Sequence, residues 1–273
     1  QEMLKRAVTW LDQDVARDHQ EWLKRTKKED QDRFVPGSSE IHFLYARSFF
    51  LRWSLDAGAS TAVNFYRERL RTTWLQSGLQ EQAMAALALD RLGDKETARA
   101  IMRSLSERAS RSEEMGMYWK DFSGGFSWWS FPTETYALMI EAFHEVTHDE
   151  ASVNGLRTYL LKLKQTTDWK TTKATADACY ALLLTGNDWM KSDALPVINV
   201  GEMAISTSAQ ANSEAGLGTI ERTWTAAEIK PAMGTVTITS KADKPSWGAL
   251  HWQYFERMDR ITPHESPFSL KKE

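Results

Sequence analysis

Cysteine is almost absent from this 273-residue sequence, and because Cys179 is the only one, no internal disulfide can form. No apolar run approaches the roughly 18 residues that a membrane-spanning helix needs. Basic and acidic residues nearly balance, 34 against 37, so the net charge of −3 creates no field that favours nucleic acid or an anionic membrane. We therefore expect no nucleic-acid partner and no direct membrane insertion of this segment.

Several motifs of cofactor chemistry are also missing. The sequence has no G-x-x-x-x-G-K phosphate loop, no G-x-G-x-x-G dinucleotide turn and no C-x-x-C pair. We predict no cofactor. The chain begins at Gln1 without a methionine and ends in SPFSLKKE, so we expect it to be a segment of a longer protein.

Helical periodicity dominates from about residue 3 to residue 187, and amphipathic segments alternate with apolar ones. The apolar members begin near Glu40, Leu79, Thr133 and Thr172. The first of them, Ile41–Leu55, is apolar nearly all round and is predicted to be a buried helix. A single pair of helices cannot bury its own apolar surface, so the successive helical hairpins are predicted to stack on one another.

An inner ring of apolar helices inside an outer ring of amphipathic helices would form an α/α toroid, and an open superhelix is the rival arrangement. Alanines on the apolar helices favour the toroid, because small side chains let helices crowd around an axis: Ala83, Ala85, Ala86, Ala88, Ala174, Ala176, Ala178 and Ala181. The hairpins are fewer than a closed ring usually contains. The prediction is a partial toroid over residues 1–190, incomplete at its N-terminal end.

After residue 196 the period changes to two, which is typical of strands. We predict strands at Pro196–Ser208, Gly218–Trp224, Gly234–Ser240 and Trp247–Phe255, separated by turn residues. The predicted fold class is therefore multidomain α and β, with a small antiparallel β module over residues 191–273 following the partial toroid.

One motif suggests zinc chemistry: HEVTH, from His144 to His148, matches the H-E-x-x-H pattern of zinc peptidases. On an ideal helix His144, His148, Glu141 and Glu145 fall on the side opposite the apolar residues. No third histidine follows at the metzincin spacing. We interpret the motif as a polar, solvated helix face and predict no metal site.

Other chemically suggestive residues have simpler structural interpretations. Cys179 is expected to be a small hydrophobic residue on a buried helix, and His19 to pack beside the apolar stripe of the first helix. The Asp12–Asp14 pair resembles the aspartate motifs of terpenoid cyclases, but an outer amphipathic helix predicts that it is solvated. Three tryptophans are predicted to plug helix ends rather than line a ligand rim: Trp128, Trp129 and Trp169.

The stretch GGFSWWSFPTETYALMIEAF, followed by LLKLKQTTDWKTTKATADACYALLL, resembles the thioester-containing domain of bacterial alpha-2-macroglobulin-like proteins. RTWTAAEIKPAMGTVTITS and SWGALHWQYFERMDRITP resemble the strands that follow this toroid in large bacterial members. The likeness runs from about Gly124 to Pro263.

The resemblance implies a protease trap, an endopeptidase inhibitor that rearranges around a peptidase once its bait segment is cut. It also implies a periplasmic or cell-envelope location, peptidases as partners of the full-length protein, and contacts with neighbouring domains of the same chain. The family's Cys-x-Glu-Gln thioester motif is absent, since Cys179 is followed by Tyr-Ala-Leu. Either that motif lies upstream of Gln1, or this protein is one of the members without a thioester.

We therefore expect a non-catalytic segment and predict no catalytic, cofactor-binding or metal-binding residue. The rival is an α/α-toroid enzyme acting on glycans or terpenoids, which needs carboxylates that converge at the mouth of the ring. The inner helices offer five acidic residues for that role: Glu81, Asp90, Glu134, Glu141 and Asp177. A zinc peptidase is the weakest alternative.

Overall fold

The computed structural model describes residues 2–120, 122, 131–166, 169–184, 196–205, 222–239, 250–255 and 257. Helices account for about 65% of these residues, and the strands form small antiparallel sheets, so the chain is a mixed α and β protein. It divides into two compact units, Gln1–Asn187 and Asp188–Glu273. Each unit is described by itself below.

The first unit is helical, and its elements follow one another through short connections. The helices are α1 (Glu2–Arg25), α2 (Lys28–Gln31), α3 (Ser38–Ser48), α4 (Ala57–Thr73), α5 (Leu79–Arg91), α6 (Lys95–Arg108), α7 (Pro132–Ala142), α8 (Glu150–Thr166) and α9 (Thr172–Leu184). Strands β1 (Ser110–Ser112) and β2 (Gly116–Tyr118) form a hairpin between α6 and α7.

Four helices form an inner row in which each contacts the next: α3 with α5, α5 with α7, and α7 with α9. They begin at Ser38, Leu79, Pro132 and Thr172, close to the predicted starts. Residues 82–90 of α5 are all buried, which its alanines permit because they let the neighbouring helices approach closely.

The outer row covers the inner one: α4 packs on α3, α6 on α5, and α8 on α7. Each outer helix buries one stripe; in α6 this stripe is Ala98, Ile101, Met102 and Leu105, at helical spacings of three and four. Helix α1 packs on α4. The alternation of apolar and amphipathic segments thus corresponds to two layers of helices.

Two helices of the inner row are less buried than the sequence predicted. Helix α3 ends at Ser48 instead of Leu55, and Phe49 and Leu51 beyond it are 50% and 51% exposed. Helix α9 buries only Ala174, Ala178 and Ala181, because it is the last of the row and packs chiefly on α7. The prediction that Ile41–Leu55 is one buried helix was wrong beyond Ser48, and the helix predicted to be buried at α9 is buried along one stripe only.

The β1–β2 hairpin lies against α8, and two glycines permit that contact. Gly116 has a φ of +74°, and a Cβ added to it would overlap the carbonyl oxygen of Gly155 on α8. The indole of Trp119 follows the hairpin and donates to the carbonyl of Leu105 at 3.1 Å. The hairpin therefore fastens the segment after α6 to the outer row.

The second unit contains a three-stranded antiparallel sheet in the order β4-β3-β5, formed by β3 (Val197–Val200), β4 (Met203–Ile205) and β5 (Val236–Thr239). The described part of the predicted strand Pro196–Ser208, residues 196–205, is instead a tight hairpin, because Gly201 takes a φ of +60° between β3 and β4. Residues 222–224 and 250–255 form no strand, and the other residues of those two predicted strands lie outside the described part.

Within the described residues, no helix combines the length and the apolar character required to cross a bilayer.

Candidate functional site

The carboxyl ends of the four inner helices meet at one cleft of about 470 Å³. It is lined by Phe49 after α3, by Arg91 at the end of α5, by Glu141 near the end of α7, and by Tyr180 and Leu184 of α9. Each helix brings the negative end of its dipole towards this place, so a cation there is favoured. Arg91 is that cation.

Arg91 forms the centre of a dense polar network. Its Nη2 donates to Oε1 of Glu141 at 2.7 Å and to Oε2 of Glu145 at 2.5 Å, and its Nε donates to Oε1 of Glu145 at 2.7 Å. The hydroxyl of Tyr45 donates to the second oxygen of Glu141 at 3.0 Å. All four carboxylate oxygens of the two acids therefore accept hydrogen bonds.

The network is only partly open to solvent. The side chains of Arg91 and Glu141 are 12% and 6% exposed, whereas that of Glu145 is 36% exposed. The guanidinium also lies 4.2 Å from the ring centroid of Phe49, which covers it from the solvent side. Glu145 is the part of this cluster that a solute can reach most easily.

Burial and ion pairing act on Arg91 in opposite directions. Burial of the guanidinium alone would lower its pKa, but the hydrogen bonds that it donates to Glu145 and Glu141 outweigh this and raise the pKa of Arg91. Burial also raises the pKa of the Tyr45 hydroxyl, and the nearby charge of Glu141 raises it further. Tyr45 therefore stays a neutral hydrogen-bond donor at physiological pH.

The HEVTH residues do not form one helix face. Helix α7 ends at Ala142, and Phe143–Thr147 form a single π-helical turn, whose wider winding breaks the spacing of four between His144 and His148. His148 follows in the left-handed conformation with a φ of +52°. The two imidazoles therefore lack the spacing on an α-helix that zinc peptidases use.

Their other contacts also argue against a metal site. Nδ1 of His144 lies 3.3 Å from Oε1 of Glu150, while Glu145, the would-be general base, is held by Arg91. Within the described ranges, no group of three or more His, Cys, Asp and Glu side chains is placed to hold a metal ion. The solvated face predicted for this motif was wrong for Glu141, which is buried because Arg91 and Tyr45 satisfy its carboxylate.

The aspartates at the start of the chain also differ from the prediction. Asp12 is 5% exposed and accepts hydrogen bonds from Nε of Arg47 at 2.9 and 3.2 Å, an ion pair that joins α1 to α3. Only Asp14 is on the outer side, where it pairs with Arg17. An aspartate pair aimed at a substrate is therefore absent here.

Cys179 is exposed, contrary to the prediction, because it lies beside the alanine stripe of α9 rather than on it. His19 is packed as predicted, 3% exposed among Trp22, Phe65 and Tyr66. Trp169 is partly buried against the core, with Lys164 over its ring. Trp128 and Trp129 lie outside the described residues.

The five acidic residues of the inner helices do not converge. Asp90 and Glu141 line different clefts, and Asp90 is paired with Lys95. Glu81 accepts a hydrogen bond from Ser38, and Asp177 pairs with Lys173. Glu134 is 7% exposed. The two carboxylates that do meet are Glu141 and Glu145, a pair that the prediction had not considered for this role.

Two members of the central cluster, Arg91 and Tyr45, were not predicted from the sequence. A signal was present, because Arg91 is the one cation in the alanine-rich segment Gln80–Leu92. Arg47 is likewise the one arginine or lysine of Ile41–Leu55 before the exposed turn. A charged side chain on a buried helix requires a buried partner of opposite charge. Both arginines have one.

Comparison with known proteins gives no relative: no family model matches the chain, and neither the curated proteins nor the solved structures include a significant match.

Proposed function

We propose that this chain is a non-catalytic segment of an alpha-2-macroglobulin-like protease trap, in which the helical unit is a partial α/α toroid that serves as a rigid scaffold. The observation that supports this most is the meeting of four inner-helix ends at one cleft. A shared cleft of this kind is what a partial toroid predicts, whereas an open superhelix would separate its first and last members.

The central cluster suits a scaffold because it ties separate helices together through buried charges. Arg91 of α5 holds Glu141 of α7 and Glu145 of the π-helical turn, and Glu141 also holds Tyr45 of α3. Buried ion pairs contribute little net stability, but breaking one partner is costly, so they fix the register of the helices they join. A trap that rearranges as whole domains needs such rigid parts.

The β unit is proposed to couple the scaffold to neighbouring domains of the same protein. Val197 and Ile238 on its sheet are 52% and 60% exposed, which is typical of a surface that another domain covers. Covalent capture is assigned to no residue, since Cys-x-Glu-Gln does not occur in the printed sequence. A periplasmic or cell-envelope location belongs to the same proposal.

The enzyme alternative is favoured by one observation. Glu141 and Glu145 line the same cleft together with Tyr180 and His144, which is the kind of convergence that acid–base chemistry at a toroid mouth requires. Against it, both carboxylates are already engaged by Arg91, and Glu141 is nearly inaccessible. A general acid or base must reach its substrate within hydrogen-bond distance.

The test uses the full-length protein that contains these residues, incubated with endopeptidases of different specificity. Cleavage of casein and cleavage of a short chromogenic peptide are measured in parallel. A trap encloses the peptidase without blocking its active site, so casein cleavage should fall while peptide cleavage persists. A peptidase whose nucleophile has been blocked beforehand is the control, and it should not be captured because it cannot cut a bait.

Unchanged cleavage of both substrates would contradict the proposal, and so would equal loss of both, which indicates ordinary active-site inhibition. Turnover of glycans or terpenoid diphosphates by the chain, abolished by Glu145→Gln, would instead establish the enzyme.

A further inference from the structure

A second cleft, of about 560 Å³, lies between α6 and the turn that follows α7. Three basic residues of α6 line it, Lys95, Arg99 and Arg103, together with His148 from the turn. Successive basic residues are four positions apart, so they lie on one face of α6 and about 6 Å apart along its axis. The cleft thus has a row of cations along one wall.

Three acidic side chains also line this cleft, and each already has a partner. Asp90 pairs with Lys95 at 2.5 Å, and Glu145 pairs with Arg91, which belongs to the central cluster. The carboxylate of Asp149 accepts from both the hydroxyl and the backbone N–H of Ser152. Within the described residues, none of these three acids forms an ion pair with Arg99 or Arg103.

Arg99 and Arg103 are the two cations of this row that lack a direct partner among the described residues. In the part of the chain that the structure describes, neither guanidinium forms an ion pair or a side-chain hydrogen bond, and both residues are exposed. Each guanidinium presents a planar fork of donors that matches a carboxylate. His148 adds a ring at the opposite wall, held there by its left-handed backbone.

We propose that this cleft binds the carboxylate side chains of an extended acidic peptide segment from another protein or domain. Alternate residues of an extended strand point to the same side and are about 6.7 Å apart, close to the spacing of the α6 cations. Two acidic residues separated by one residue can therefore engage Arg99 and Arg103 together. A single phosphate is a poorer match, because the basic side chains of α6 lie in a row and do not surround one point.

This cleft shares Glu145 and His148 with the cleft of the central cluster, but Arg99 and Arg103 line only this one. The proposal does not depend on the proposed trap function. Its affinity is expected to come from charge complementarity, so it should weaken as salt is added.

The experiment measures binding of a fluorescein-labelled peptide, with glutamates alternating with alanines, to the 273-residue chain by fluorescence anisotropy at low ionic strength. The unmodified chain should bind it, and a peptide with glutamines in the same positions should not bind. The double variant Arg99→Gln/Arg103→Gln should bind the acidic peptide roughly tenfold more weakly. Both positions are exposed, so the fold should persist, which circular dichroism can verify.

The matched control is Lys24→Gln/Lys28→Gln, which removes the same charge from exposed positions distant in sequence from α6. Its affinity should equal that of the unmodified chain. Equal weakening in the two double variants would reveal a non-specific effect of net charge and overturn the proposal. The proposal is also overturned if no binding occurs, or if inorganic phosphate displaces the peptide at concentrations where acetate and chloride do not.

Discussion

Arg91 at the end of α5 and Glu141 near the end of α7 are joined by a hydrogen-bonded ion pair, with Nη2 and Oε1 2.7 Å apart. Their side chains are only 12% and 6% exposed, so water solvates them poorly and each charge is stabilised by the other. The pair connects two neighbouring helices of the inner row at the point where all four helices end. Several consequences can be measured.

Replacing Arg91 with methionine should destabilise the helical unit by about 3–5 kcal/mol, because Glu141 is then a buried carboxylate without a counter-ion. Urea unfolding followed by circular dichroism at 222 nm measures the change. Glu145→Gln, at a side chain that is 36% exposed, should cost only about 1 kcal/mol. The double variant Arg91→Met/Glu141→Gln should recover part of the loss. If it unfolds as easily as Arg91→Met alone, the pair is not the cause.

Two glycines with positive φ should respond differently to alanine. Gly93 has a φ of +92° and nothing within 4 Å of an added Cβ, so Gly93→Ala should cost only the backbone strain of about 1–2 kcal/mol. Gly116→Ala adds an overlap with the backbone of Gly155, so a loss of about 3 kcal/mol or more is expected. Equal unfolding free energies for the two variants would show that the hairpin does not pack on α8 as described.

Acidification should weaken the helical unit through His19. Burial lowers the pKa of this imidazole from its ordinary value of 6.5, and its Nε2 has no hydrogen-bond partner among the residues that the structure describes. The unfolded chain therefore binds more protons below that value, and the free energy of unfolding falls as the pH falls, by at most about 1.4 kcal/mol per pH unit. The free energy of unfolding stops falling on this account once the pH is below the pKa of His19 in the folded chain.

The check compares unfolding at pH 7.5 and pH 5.5. His19→Phe should lose less stability between the two values than the unmodified chain does, whereas His42→Gln, at an exposed histidine, should behave like the unmodified chain. An unaltered pH dependence in His19→Phe would assign the acid sensitivity to other groups.

The HEVTH motif should give no zinc chemistry. After exposure to excess zinc and desalting, elemental analysis should find no zinc above the buffer blank, since the π-helical turn breaks the α-helical spacing of His144 and His148 and Arg91 holds Glu145. Casein should not be cleaved by the chain, and Glu145→Gln should leave that result unaltered. Stoichiometric zinc that disappears in His144→Ala would refute this.

Local patterns predicted the helical half well because the burial of a helix face is written in residue spacing. The starts of α5 and α9 agree with the predicted positions, and those of α3 and α7 differ by one or two residues. The sheet was harder to predict, because a short run such as Pro196–Ser208 does not reveal that a glycine turn divides it into two strands. Helix α3 was overextended because Phe49 and Leu51 are apolar although they lie in an exposed turn.

The sequence by itself determined which segments are helices and which of them are apolar enough to pack together, since both follow from the spacing of side chains along one chain. Only the tertiary structure decided the fate of the charged residues on those helices. Whether Glu141 and Asp12 are solvated or buried depends on Arg91 and Arg47, which come from distant positions. The energy of a buried charge is set by its nearest counter-charge, and that distance exists only after the helices have packed.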